Sequence, residues 1–119
     1  MFKLPNFNLD VNIWIPPHAP GLEPPDVVVK GQLRYTGKLS PVSTTAAGGR
    51  WSTMEVLLPK GTNVVDLDNG LGSASIIEIP AGSRRYYRAL YVDDVAKGFE
   101  NEYRIVYVYK DGTWPTPIP

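Results

Sequence analysis

Apolar residues recur at every second position over much of this chain. Phe7, Leu9, Val11, Ile13 and Ile15 fall on one face, with Asn8, Asp10, Asn12 and Trp14 on the other. A period of two puts successive side chains on opposite sides of an extended backbone, so the stretch predicts a strand. Pro16-Pro17 ends it, because proline has no amide to give a ladder. The ten residues from Pro16 to Pro25 hold five prolines and one glycine. They predict an extended, polyproline-like connector.

Val27, Val29, Leu33 and Tyr35 alternate with Lys30, Gln32 and Arg34 and predict a second strand. Thr36 to Gly49 are mostly small and polar. A structureless stretch of that length is uncommon inside a compact domain and is usually functional or mobile. Met54, Val56 and Leu58 oppose Thr53 and Glu55 in a third strand, and Pro59-Lys60-Gly61 turns the chain. Val64-Val65 predict a short strand before the turn Asp68-Asn69-Gly70. Ser75, Ile77 and Ile79 alternate with Ile76 and Glu78, and Pro80-Ala81-Gly82-Ser83 is the next turn. Residues 85–92 and 102–110 predict the last strands, with Tyr103, Ile105, Tyr107 and Tyr109 opposite Arg104, Val106 and Val108. Between them, Asp93 or Asp94 is placed to cap one helical turn and Gly98 to end it.

Short strands at close spacing, with frequent turn signals, predict an all-β domain: a six- to seven-stranded β-barrel or sandwich. The 119 residues make one domain. It divides into an N-terminal strand and proline-rich arm (1–26), a barrel (27–110) with a long inter-strand loop (36–50), and an extended C-terminal tail (111–119). The arms at both ends are expected to be extended.

Charge narrows the class of ligand. Twelve basic and twelve acidic residues cancel, and they interleave. No basic stripe is present to release counterions, which argues against duplex nucleic acid as the main ligand. With no cysteine, disulfides and thiolate metal sites are excluded. The N-terminus lacks a signal-peptide core, and no apolar run approaches the roughly 20 residues of a spanning helix. The chain is expected to be soluble, made in a cytoplasm and without membrane contact.

The chemistry-bearing residues are sparse. His18 is the single histidine, so any Ser-His-Asp device would need it, in a linker. Asp66-Leu67-Asp68-Asn69-Gly70 opens like a calcium loop. It lacks the glutamate at the expected spacing and the flanking helices, so it reads as a turn. Asp93 and Asp94 are neighbours on a strand and point to opposite faces, unlike an acid–base pair. Arg84-Arg85-Tyr86-Tyr87-Arg88 is a small basic–aromatic cluster. It suits a protein interface better than single-stranded nucleic acid, since no wider basic field surrounds it. We therefore expect no catalytic residue, no metal site and no cofactor. Trp14, Arg84, Arg85, Asp93, Asp94, Lys97, Phe99, Glu100 and Trp114 are the candidate interface residues, with Trp14, Phe99 and Trp114 as anchors; the alternative for each, and above all for Trp14, is a cap on the barrel core.

Three phrases in the C-terminal half carry a resemblance. They are residues 58–64 (Leu-Pro-Lys-Gly-Thr-Asn-Val), 77–83 (Ile-Glu-Ile-Pro-Ala-Gly-Ser) and 87–104, with Tyr91-Val92-Asp93-Asp94-Val95-Ala96-Lys97-Gly98-Phe99-Glu100-Asn101-Glu102-Tyr103-Arg104 at its centre. In this order they resemble the head-closure, or stopper, proteins of tailed-phage necks, over residues 58 to 110. The resemblance implies a small β-barrel that forms a homo-oligomeric ring in the virion neck, assembled in the host cytoplasm. Such a ring joins portal or adaptor to tail or tail-terminator proteins and touches packaged DNA through a channel loop. The matching loop here is Lys38, Leu39, Ser40, Pro41, Val42, Ser43, Thr44 and Thr45. The proline-rich N-terminal connector and the Trp-Pro tail depart from the pattern. A capsid decoration protein is one alternative. A carbohydrate-binding module using Trp51 and the tyrosines is another.

Overall fold

The structure is a computed structural model that describes residues 5–41, 51–67 and 73–109, with the backbone alone described at 36–41 and 51–53. Six strands form a closed antiparallel barrel: β1 (Leu9–Trp14), β2 (Val27–Pro41), β3 (Trp51–Pro59), β4 (Ile76–Glu78), β5 (Tyr86–Val95) and β6 (Tyr103–Tyr109). The order around the barrel is β1-β2-β3-β6-β5-β4, and β4 pairs back with β1. The described residues contain no helix. The all-β barrel expected from the alternation is what forms.

Alternation builds the interior. Val11, Ile13, Val56, Leu58, Ile77, Ile79, Val106 and Val108 are buried in one core, as the period-two pattern requires. One strand departs from strict alternation. A register shift in β5 between Ala89 and Tyr91 lets Ala89 and Leu90 both face the core. Such a bulge exchanges the faces of everything after it. Val92 therefore packs against the core, while Tyr91 turns outward and stacks on Tyr107, with ring centroids 6.2 Å apart.

Antiparallel pairing gathers the β1–β2, β3–β4 and β5–β6 connections at one end of the barrel. The β3–β4 connection contributes Val64, Leu67 and Ala74 to the core and so stoppers that end. Val64-Val65 form no strand. Instead, Ser75 N donates to Val65 O at 2.8 Å and Val65 N donates to Ser75 Oγ at 2.8 Å.

The proline-rich connector folds back in turns and is not extended. His18 N donates to Ile15 O (2.8 Å), and Glu23 N donates to Ala19 O (3.1 Å). The prolines remove donors only at their own positions, and the residues between them close the turns. The loop expected at 36–50 is also shorter than the sequence implies. β2 continues to Pro41 and β3 starts at Trp51, in register as Ser40↔Ser52 and Pro41↔Trp51. The small and β-branched residues there tolerate extended backbone, and cross-strand pairing then decides. Likewise, Asp93 and Asp94 lie within β5, and no helical turn follows. Pairing to Ile105 and Arg104 on β6 outcompetes a cap. The C-terminal tail 111–119 and the turn at 68–70 lie outside the described residues.

Two packing constraints are testable. Gly31 sits where β2 crosses the core. A Cβ there would lie 2.9 Å from Leu57 O and 3.0 Å from both Leu58 Cδ2 and Val11 Cγ2. Gly31→Ala is expected to cost about 1–3 kcal/mol, measured by urea unfolding against wild type. Glu78 is buried and accepts hydrogen bonds from Asn12 Nδ2 (3.0 Å) and Arg84 N (2.9 Å), with the Tyr86 phenol as a further partner. Glu78→Ala leaves these donors without an acceptor and is expected to cost about 3 kcal/mol in the same assay.

Candidate assembly surface

The β5–β6 connection is built to present one aromatic side chain. Val95 ends β5, Ala96 adopts a left-handed φ of 56° and Gly98 one of 88°. Phe99 N donates to Ala96 O (3.0 Å), Glu102 N to Phe99 O (3.1 Å) and Gly98 N to Glu102 Oε1 (3.0 Å). Phe99 is left 70% exposed on this closed turn, between exposed Lys97 and Glu100. Arg104 fixes the base of the hairpin: its Nε donates to Asp94 Oδ1 (2.8 Å) and its Nη1 to Thr62 O (2.9 Å).

The loop between β1 and β2 is clasped by Asp26. One carboxylate oxygen accepts Ile15 N at 2.7 Å and the other lies 2.8 Å from His18 Nδ1. A carboxylate only accepts, so Nδ1 carries the proton. The Ile15 amide first, and the nearby His18, hold the Asp26 carboxyl below its ordinary pKa. Trp14 is buried beneath this loop, its Nε1 donating to Glu23 O at 2.9 Å and its ring edge-on to Tyr86. Beside the loop lies a cavity of about 200 Å³ lined mainly by Pro16, Pro17, Ala19, Ala74 and Ile76, with His18 and Arg88 in its wall.

A polar stripe crosses the outer face of four strands. Glu55, nearly buried, receives Arg34 Nη2 at 2.9 Å, and register places it beside Tyr107. Burial, followed by the charges of Glu55 and Asp93, raises the Tyr107 pKa. A phenol so placed stays neutral through the physiological range.

The structure brings Lys97, Phe99 and Glu100 together on one exposed turn. Arg84 and Arg85 are exposed on the β4–β5 turn, at the opposite end of the barrel. Asp93 is exposed on the outer face. Asp94 is engaged by Arg104, because the β5 bulge rotates it toward that partner. Trp14 is covered by its own chain and does not present an anchor, since the folded connector satisfies its indole. Tyr86 and Tyr87 are buried, which dismantles the basic–aromatic cluster as a stacking platform. Lys38, Leu39, Ser40 and Pro41 lie on the β2 backbone. Val42, Ser43, Thr44, Thr45 and Trp114 lie outside the described residues, as does the Trp51 side chain. Asp66 is buried and accepts Val92 N at 3.2 Å, which makes it part of the barrel end.

Sequence reading missed the Arg34–Glu55 and Arg104–Asp94 pairs. Opposite charges on consecutive strands were the available signal, but register decides which ones meet. No family model, curated protein or solved structure matches the chain. What the geometry defines is a small closed barrel with the exposed Phe99 turn and the Asp26-clasped loop at one end.

The clasp predicts a pH dependence. The Asp26 carboxyl is depressed in the folded state, so its contribution is present above the unfolded value, about 3.9. It is lost as pH falls through the lower folded value. Asp26→Ala is expected to lower Tm at pH 7, and the gap from wild type should narrow below about pH 4, followed by thermal melts across pH.

Proposed function

We propose that the protein is a structural component of a tailed-phage neck, a head-closure subunit that acts by binding and not by catalysis. In this reading, copies form a ring between portal or adaptor and tail or tail-terminator proteins, and they meet packaged DNA through the β2–β3 ribbon. One observation carries most of the weight. Among the described residues, β3 pairs with β6 up to Met54↔Val108 and β2 with β3 up to Pro41↔Trp51. The β2–β3 pairing thus carries the chain on toward one end of the barrel, where this reading needs a channel-lining element. Its end of the barrel is opposite to that of Phe99, so ribbon and turn can serve different neighbours. The resemblance over residues 58 to 110 supports the same role.

Replacing residues 37–52 by a two-residue Asn-Gly hairpin turn is expected to leave the barrel folded by circular dichroism. Phage carrying the variant should assemble heads but lose packaged DNA, measured as nuclease-accessible genome. Normal DNA retention would remove the channel role. Cryo-electron microscopy of wild-type particles should show one ring at a single vertex. Copies spread over the shell would establish decoration instead.

A further inference from the structure

An apolar knob and an open hollow of mixed lining sit at the same end of this barrel. The knob is Phe99, 70% exposed on a turn closed by three hydrogen bonds. The hole is the cavity of about 200 Å³ between Pro16–Ala19 and Ala74–Ile76. Its volume is on the scale of the roughly 150 Å³ cavities that take up benzene, so one phenyl ring fits, against a lining that also holds His18, Ser73 and Arg88. Buried Ala74 and Ile76 supply its apolar lining, and the Asp26 clasp holds the proline wall in place.

We propose that Phe99 of one copy seats in this cavity of a second copy. The proposal rests on the assembly reading above in taking the partner to be the same chain. Charge supports that choice. Glu100, next to Phe99, is opposite in sign to Arg88 in the cavity wall. Leu22, 80% exposed on the same loop as the proline wall, adds apolar surface for the contact. Both parts are rigid before they meet, so docking orders little of either. A knob and a hole at different places on one surface form a contact that repeats from copy to copy and closes when the rotation allows.

Light scattering and sedimentation over a concentration series test this. Wild type is expected to self-associate reversibly, and Phe99→Asp to weaken association at least about thirtyfold, the scale of an aromatic hot spot. Phe99 is exposed, so Phe99→Asp should keep the wild-type melting curve. Ala19→Trp fills the hole and should be monomeric alone. Mixed with Phe99→Asp it should form a one-to-one complex, because one variant keeps the knob and the other the hole. Should Ala19→Trp not fold, benzoylphenylalanine at position 99 of wild type provides the second readout, with crosslinks expected at residues 16–19 or 73–76 of another copy. Crosslinks elsewhere, Phe99→Asp associating as wild type does, or a wild type monomeric up to about 1 mM, where even weak contacts populate, would overturn the proposal. A wild type that stops at two copies would keep the contact and remove the ring.

Discussion

Barrel closure depends on β4, a strand of three residues that joins β1 to β5. The three β1–β4 pairs are Asn12↔Glu78, Ile13↔Ile77 and Trp14↔Ile76. A ladder so short is weak by itself, since isolated pairings contribute about 0.2–1 kcal/mol each. The side chains compensate on both faces. Ile77 and Ile79 lock into the core inside. Outside, Trp14, Ile76 and Tyr86 form a second apolar cluster, and Glu78 gathers donors from β1 and from the β4–β5 turn. The buried carboxylate is tolerable because its hydrogen bonds are made. Burial of Tyr86, chiefly, and the nearby Glu78 charge keep that phenol protonated, so it remains a donor.

Closure also decides where contacts can form. A closed barrel has no free edge for a neighbour's strand to extend. Among the described residues, β2 and β3 stay paired to Pro41↔Trp51. Other contacts must then use side chains on connections. This is the common division between a rigid scaffold and loops that carry function. The two ends of the barrel divide the work: one bears the ribbon, the other bears the Phe99 turn and the clasped loop.

The fold was legible because the interior is built by alternation. Val11 and Ile13, Val56 and Leu58, and Val106 and Val108 all face the core as their spacing requires. What could not be read follows from pairing at long range. The β5 bulge leaves no mark in the alternation, because Ala89, Leu90 and Tyr91 are all compatible with either face. Its result is the Asp94–Arg104 bond and the outward Tyr91. The proline-rich connector was misjudged because composition reports the donors it lacks. It does not report the acceptor, Asp26, that folds it. Trp14 was misjudged for the same reason: an indole on the polar face of β1 is exposed only if nothing covers that face. Phe99, by contrast, was legible as a surface residue from its place beside Gly98 in a turn.

Phe99 and Trp14 meet opposite fates in this fold. Both are large aromatics outside the barrel core. Trp14 is sealed by a hydrogen bond to Glu23 and an edge contact with Tyr86, so it serves the fold and stabilises the loop above it. Phe99 has no such cover, and burying it would yield about 1.5–3 kcal/mol. That is less than the roughly 4–15 kcal/mol lost in freezing two free bodies together. One ring in one cavity cannot therefore hold two copies by itself. Leu22 and the flanking charges must contribute the rest. In the neck we propose, neighbours held on a common platform would meet at high effective concentration, which would strengthen a contact that already forms in solution.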